Sequence, residues 1–337
     1  MLKKSTISTV IEPTSTEGSV NISLLFDIAK QGIPFEDHLS RFYYWEIALM
    51  ILPKERAEWH KVCSRNAELY SKWLIKYFSN VEDWVNRPMN ESEAEVRVKE
   101  FGLRDNNTME QIHGDLVRTP DSQFYEMGFK DDEIVKHKRR IERILYIFSC
   151  FNAYSYVQGF NELIIPIYYV SIMANRLLGN NDDIAEACAF QIFQNLMIGT
   201  GLGDLFTLQD FESVMTKFDL IKEMCKITDK ELFNNLFAIQ NAPQPCDFAF
   251  SWVSLLFTQI YNINNLIMIW DRLLSKESNI VEFGMAIATA HLILLKPEIT
   301  NVNSNIMLKK IHEIHDMDPS AIIAISEDIM SRFHLNI

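Results

Sequence analysis

Cysteine is scarce in this sequence: five residues in 337 (Cys63, Cys150, Cys188, Cys225 and Cys246), with no C-x-x-C pair among them. So few, so far apart and odd in number, they exclude a disulfide framework and predict a reducing compartment. Glycine (11) and proline (10) are scarce as well, which argues against many short strands joined by tight turns. Basic charge is in deficit, with 32 Lys+Arg against 45 Asp+Glu and a net charge of −13. That excludes a surface built along its length for nucleic-acid phosphates, and no nucleic-acid partner is expected. Long apolar runs are missing too. The longest, Leu163 to Ala174, has 12 residues and contains Pro166, against the roughly 20 needed to cross a bilayer. Met1 to Gly18 lacks the apolar stretch of a signal peptide. Together these absences predict a soluble, cytoplasmic chain.

What is present is helical periodicity. Ala185, Cys188, Ala189, Ile192, Phe193 and Leu196 recur at i, i+3, i+4, i+7, i+8, i+11, and Ile141, Ile144, Leu145 and Phe148 at i, i+3, i+4, i+7. Each set forms one apolar helix face. Further helices are predicted over about 39–52, 56–78, 159–178, 211–225, 230–239, 248–261, 264–275, 280–295 and 319–333, and no run alternates as a strand would. The expected fold class is all-α. Residues 1–20 read as a flexible leader, and Asn86 to Asn107, broken by Pro88 and Gly102, reads as a surface excursion. A hinge is expected in the glycine-rich stretch Gly199 to Asp204, between an N-terminal lobe at 21–200 and a C-terminal lobe at 205–337.

Most motifs with chemical associations fail on inspection. The third glycine of Gly199, Gly201 and Gly203 is one position early for a dinucleotide fingerprint, and a helix, not a strand, precedes it. His312 and His315 sit in H-E-I-H, which is not the H-E-x-x-H of a zinc site, and no other ligand cluster completes it. No phosphate-binding loop, nucleophile elbow or kinase motif occurs. The chain is therefore expected to carry no cofactor and no metal of its own.

Two segments stand apart. In QIHGDLVRTP, Ile112, Asp115 and Arg118 fall at i, i+3, i+6, directly before Thr119 and a helix-ending Pro120. In SYVQGFN, Tyr156, Gln158 and Asn161 surround Gly159, which lets the backbone bend and present Gln158 from a loop. Read alone, the arginine fits an ordinary ion pair and the glutamine a surface amide or a cap. Taken together and in this order, the segments closely resemble the IxxDxxR and YxQ motifs of TBC-domain GTPase-activating proteins. The resemblance extends from about Gln31 to Leu295. Gly32, Ile33, Pro34, Arg41 and Trp45 resemble the family's opening segment, Ala185 to Leu196 its central helix, and Trp252, Trp270 and Asp271 its W…WD segment. The departures are Phe160 in place of a usual Met, Ser251 in place of a basic residue, and Pro120 after the arginine turn.

The resemblance implies a two-lobed helical TBC domain that accelerates GTP hydrolysis on a small GTPase of the Rab family. It implies Arg118 and Gln158 as the groups supplied in trans, with GTP and Mg²⁺ carried by the partner. With no lipidation or membrane-inserting segment in the sequence, a membrane is expected to be reached only indirectly, by recruitment to endomembranes through that partner or an adaptor. An arginine supplied in trans is worth roughly 10³ to 10⁵ in rate, or about 4 to 7 kcal/mol of barrier. Asp115, Tyr156 and Asn161 are expected to support the two fingers, with Ile112, Thr119 and Gly159 shaping the segments that carry them. Arg41, Trp45, Trp252, Trp270 and Asp271 read as packed structure. Lys136, His137, Lys138, Arg139, Arg140 and Arg143 form the one concentrated basic run. It reads either as a solvated helix face or as a patch that steers an acidic partner. The alternative to catalysis is a binding module, an effector or scaffold that holds a GTPase without speeding hydrolysis.

Overall fold

A computed structural model of the chain describes residues 6–11, 18–78, 81–89, 106–151, 155–206, 211–240, 242–275 and 280–335. Among these residues helices dominate, and no strand occurs beyond an isolated bridge between Ser19 and Glu55. The chain divides into two compact units, Met1–Gly199 and Thr200–Ile337.

The first unit contains α1 (Thr6–Ile11), α2 (Ile22–Ala29), α3 (His38–Ala48), α4 (Trp59–Tyr77) and α5 (Val81–Asn86). It continues with α6 (Asn106–Arg118), α7 (Asp121–Glu126), α8 (Asp131–Phe151), α9 (Phe160–Leu177) and α10 (Asp182–Gly199). At its centre is α8, which packs against α4, α5, α6, α9 and α10. Ile141, Ile144, Leu145 and Phe148 are fully buried there, each contributing about 1.5 to 3 kcal/mol. Arg41, on α3, is also buried and donates to the carbonyls of Ile33 and Phe35, at 2.8 and 3.0 Å. The opening Gly-Ile-Pro segment is held to α3 in this way.

Two stretches depart from the sequence reading. Within the expected flexible leader, residues 6–11 form helix α1, with Ile7 and Ile11 buried and the helix packed on α2 and α3, and Ser19 bridges to Glu55. Two isoleucines at i and i+4 give even six residues one apolar face, and Arg56 donates to the carbonyl of Val10. The expected surface excursion falls mostly outside the described residues, but Arg87 and Pro88 are tied down, their carbonyls accepting from Arg139.

The second unit contains α11 (Phe211–Phe218), α12 (Leu220–Thr228), α13 (Lys230–Leu236), α14 (Pro245–Ser254) and α15 (Ile263–Leu274). It ends with α16 (Ile280–Leu294), α17 (Lys296–Ile299), α18 (Ser304–His312) and α19 (Pro319–Leu335). Here α16 packs on α12, α14 and α19. The helix expected over 248–261 begins earlier, with Pro245 in its first turn, and ends at Ser254. Leu256 and Phe257 then take φ of 46° and 66°, a backbone turn that buries both while Trp270 Nε1 donates to the Leu256 carbonyl at 2.8 Å.

Candidate functional site

Arg118 is the last residue of α6, because Pro120 cannot continue the helix and instead opens α7 with φ −62° and ψ 135°. Ile112, fully buried, anchors α6 in the core. The arginine side chain is 65% exposed, and its Nη2 pairs with Asp115 Oδ1 at 2.5 Å, one helical turn back. It lies along the helix over Gly114, where a Cβ would stand 3.4 Å from Nη1. A glycine inside a helix is costly, and the packing here does not require one, since a methyl in its place would make an ordinary contact with the guanidinium.

Gln158 precedes Gly159, whose φ of 106° turns the chain into α9. That value is in the left-handed region where side chains are strained. The loop is fixed by Asn161 Oδ1, which accepts from the Gly159 N–H at 3.2 Å. A chain of hydrogen bonds joins the two segments. Tyr156 Oη donates to Asp115 Oδ2 at 2.8 Å, Asn161 Nδ2 donates to Thr119 Oγ1 at 3.2 Å, and Thr119 Oγ1 donates to the Asp115 carbonyl at 2.9 Å. Burial, then the hydrogen bond to Asp115, pushes the Tyr156 hydroxyl above its usual range, which keeps it a donor.

Arg118 and Gln158 therefore line one open depression of about 140 Å³, together with Asp115, Thr119, Pro120, Gln123, Asn161 and Glu162. Gln123 and Glu162 were not singled out by the sequence motifs. Glu162 lies four residues after Gln158, within one turn of α9. Chemically, the depression offers an exposed cation with several N–H donors beside an amide that both donates and accepts. Such a pair suits a negatively charged group and the water that attacks it.

The basic run is not a surface patch. Lys136 is exposed, but the side chains of Lys138, Arg139, Arg140 and Arg143 are 6%, 1%, 14% and 1% exposed. Arg139 pairs with Glu142, which also contacts His113 at 2.7 Å. Burial pushes the Glu142 carboxyl up, but Arg139 and His113 outweigh it and hold the group below its usual range. Arg140 and Arg143 both converge on the buried Glu186, which also accepts from Tyr70 Oη at 2.7 Å. His137 is buried against Tyr168 and Phe129, and burial lowers its pKa to about 4. The steering reading fails for Lys138, Arg139, Arg140 and Arg143 because neighbouring helices cover these side chains and they are spent on carboxylates and carbonyls of the chain itself; Lys136 faces solvent.

Among the described residues no group of three His, Cys, Asp or Glu is placed to hold a metal, and no helix is long and apolar enough to cross a membrane.

Comparison with known proteins agrees with this architecture. Among solved structures, the Ypt/Rab-GAP domain of Gyp1p superposes with a TM-score of 0.73 at 19% identity, covering 98% of this chain and 97% of that one. The Chlamydomonas flagellar RabGAP TBC domain superposes with a TM-score of 0.56 at 14% identity, covering 91% and 84%. TBC1 domain family member 13 of Mus musculus is 24% identical, over 93% of this chain and 95% of its own length, and its namesake from Homo sapiens gives the same figures. Residues 54–299, most of the chain and both units, match the Rab-GTPase-TBC domain. The chain belongs to that family.

Proposed function

We propose that this protein accelerates GTP hydrolysis on a small GTPase of the Rab family by supplying Arg118 and Gln158 in trans. The observation that carries the proposal is the meeting of two side chains, 40 positions apart in sequence, in one depression, braced by a shared network through Asp115. Phosphoryl transfer needs charge developing on the transferred group neutralised and the attacking water aimed. The guanidinium, permanently charged and able to fork to two oxygens, serves the first need. The Gln158 amide, able to donate to and accept from one water, serves the second. GTP and Mg²⁺ arrive with the partner, and recruitment to an endomembrane comes through that partner or an adaptor.

The test is single-turnover GTP hydrolysis across a panel of Rab GTPases, with the wild type beside Arg118→Lys and Gln158→Ala. Acceleration of one or a few members is expected, falling at least about 10³-fold in Arg118→Lys, because lysine offers a point charge in place of a fork. Binding without any change in hydrolysis would overturn the proposal and identify an effector or scaffold.

A further inference from the structure

Lys138 reaches the arginine turn from behind. It lies on α8 with its side chain 6% exposed. Its ammonium donates to the Thr119 carbonyl at 2.7 Å and pairs with Asp121 Oδ1 at 2.6 Å, while lying 5.6 Å from the centre of the Phe124 ring. Thr119 and Asp121 are the two neighbours of Pro120, so the ammonium straddles the junction where α6 ends and α7 begins. Proline brings no N–H to that junction, and Lys138 supplies a donor and a charge from outside the segment. Thr119 is meanwhile held from its other side, its hydroxyl joined to Asp115 and Asn161. The residue directly after Arg118 is thus fixed at both its carbonyl and its side chain.

We infer that Lys138 is a positioning residue for Arg118, locking the Thr119–Asp121 junction so that the exposed guanidinium swings from a fixed base. The inference rests on the reading of Arg118 as the group supplied in trans. It assigns Lys138 no contact with the partner, since the ammonium is buried and committed to two groups of its own chain. Removing it leaves Asp121 solvated but takes the donor from the Thr119 carbonyl. A displacement of about 1 Å at a reacting group costs on the order of 10² in rate, so Lys138→Met is expected to lower kcat by about 10- to 100-fold with KM nearly unchanged. Lys138→Arg, which retains charge and donors, restores part of the loss.

Two measurements decide the matter. The first is a cycle of stimulated GTP hydrolysis in wild type, Lys138→Met, Arg118→Ala and the double variant. If Lys138 acts through Arg118, Lys138→Met costs little further once the arginine is gone; additive losses would overturn the inference. The second is amide hydrogen exchange in the free protein, which needs no GTPase. Faster exchange in Lys138→Met, confined to residues 118–124, supports the lock, whereas unchanged exchange or loosening spread through α8 overturns it. A wild type that accelerates no GTPase while exchange still loosens locally refutes the catalytic reading and leaves the structural lock standing.

Discussion

Asp115 divides its carboxylate between two partners, Oδ1 to Arg118 and Oδ2 to Tyr156, so a change there reaches both reactive segments. Asp115→Asn keeps the shape but removes the charge and one acceptor. A hydrogen bond to a charged group contributes about 1.5 to 3 kcal/mol, so stimulated hydrolysis should fall about 10- to 100-fold. Tyr156→Phe should add less to Asp115→Asn than it costs alone, because both act on one contact. Rates of the two single variants and the double variant check this. Gly114 offers the opposite case. Replacing it with alanine should stabilise α6 by about 0.5 to 1 kcal/mol, seen as a higher melting temperature. The new Cβ meets Arg118 Nη1 at 3.4 Å, an ordinary contact, so activity should stay within about twofold. These residues differ in how well the sequence displays them. Arg118, Asp115 and Gln158 fall into recognisable spacings, whereas Gln123 gains meaning only once folding brings it to the depression that Arg118 lines.

At the scale of elements, α8 shows where reading a charge run goes wrong. Its apolar positions at i, i+3, i+4 and i+7 were legible, and they identify a core-facing stripe. They do not tell whether the opposite face meets water or another helix, since that depends on α4, α5 and α10, which are distant in sequence. The available signal was the pairing of Arg139 with Glu142 at i, i+3, too common on exposed helices to decide the matter. The consequence is measurable. Arg143→Met takes one of the two arginines from the buried Glu186, which keeps Arg140 and Tyr70, and should destabilise the first unit by about 1 to 3 kcal/mol. The salt dependence of KM for a GTPase should stay as in the wild type, because the lost cation never faced the solvent. Thermal unfolding and a salt titration together separate these effects. The early end of α14 has a similar origin: the apolar pattern runs on past Ser254, but Phe257 and Leu256 are buried by a backbone turn instead of another helical turn.

For the whole molecule, stability should carry a pH signature that a buried acid sets. Glu46 on α3 is buried beside a small cavity shared with Cys63, Asn66, Cys188 and Gln191. Burial pushes its carboxyl from the usual 4.5 up to about 8. The folded chain therefore keeps a proton that the unfolded chain releases, and this group's contribution to stability declines as pH rises between those values. Glu46→Gln removes the decline. Its stability should match the wild type near pH 4.5 and pull ahead towards pH 8 by on the order of 1 kcal/mol per pH unit, read as a widening gap in melting temperature. An offset independent of pH would refute this. The all-helical class was legible from periodicity and from the scarcity of glycine and proline; the order within the expected leader was not, because two isoleucines in six residues are a weak signal until α2 and α3 provide a surface for them. The confinement of the paired side chains and their whole network to Asp115–Glu162, inside a unit that ends at Gly199, has a consequence for synthesis. A ribosome adding about 5 to 20 residues per second needs roughly 7 to 28 s more to make the second unit. For that interval the nascent chain already holds every group of the site, and the helices that carry them, before its remaining part has been translated.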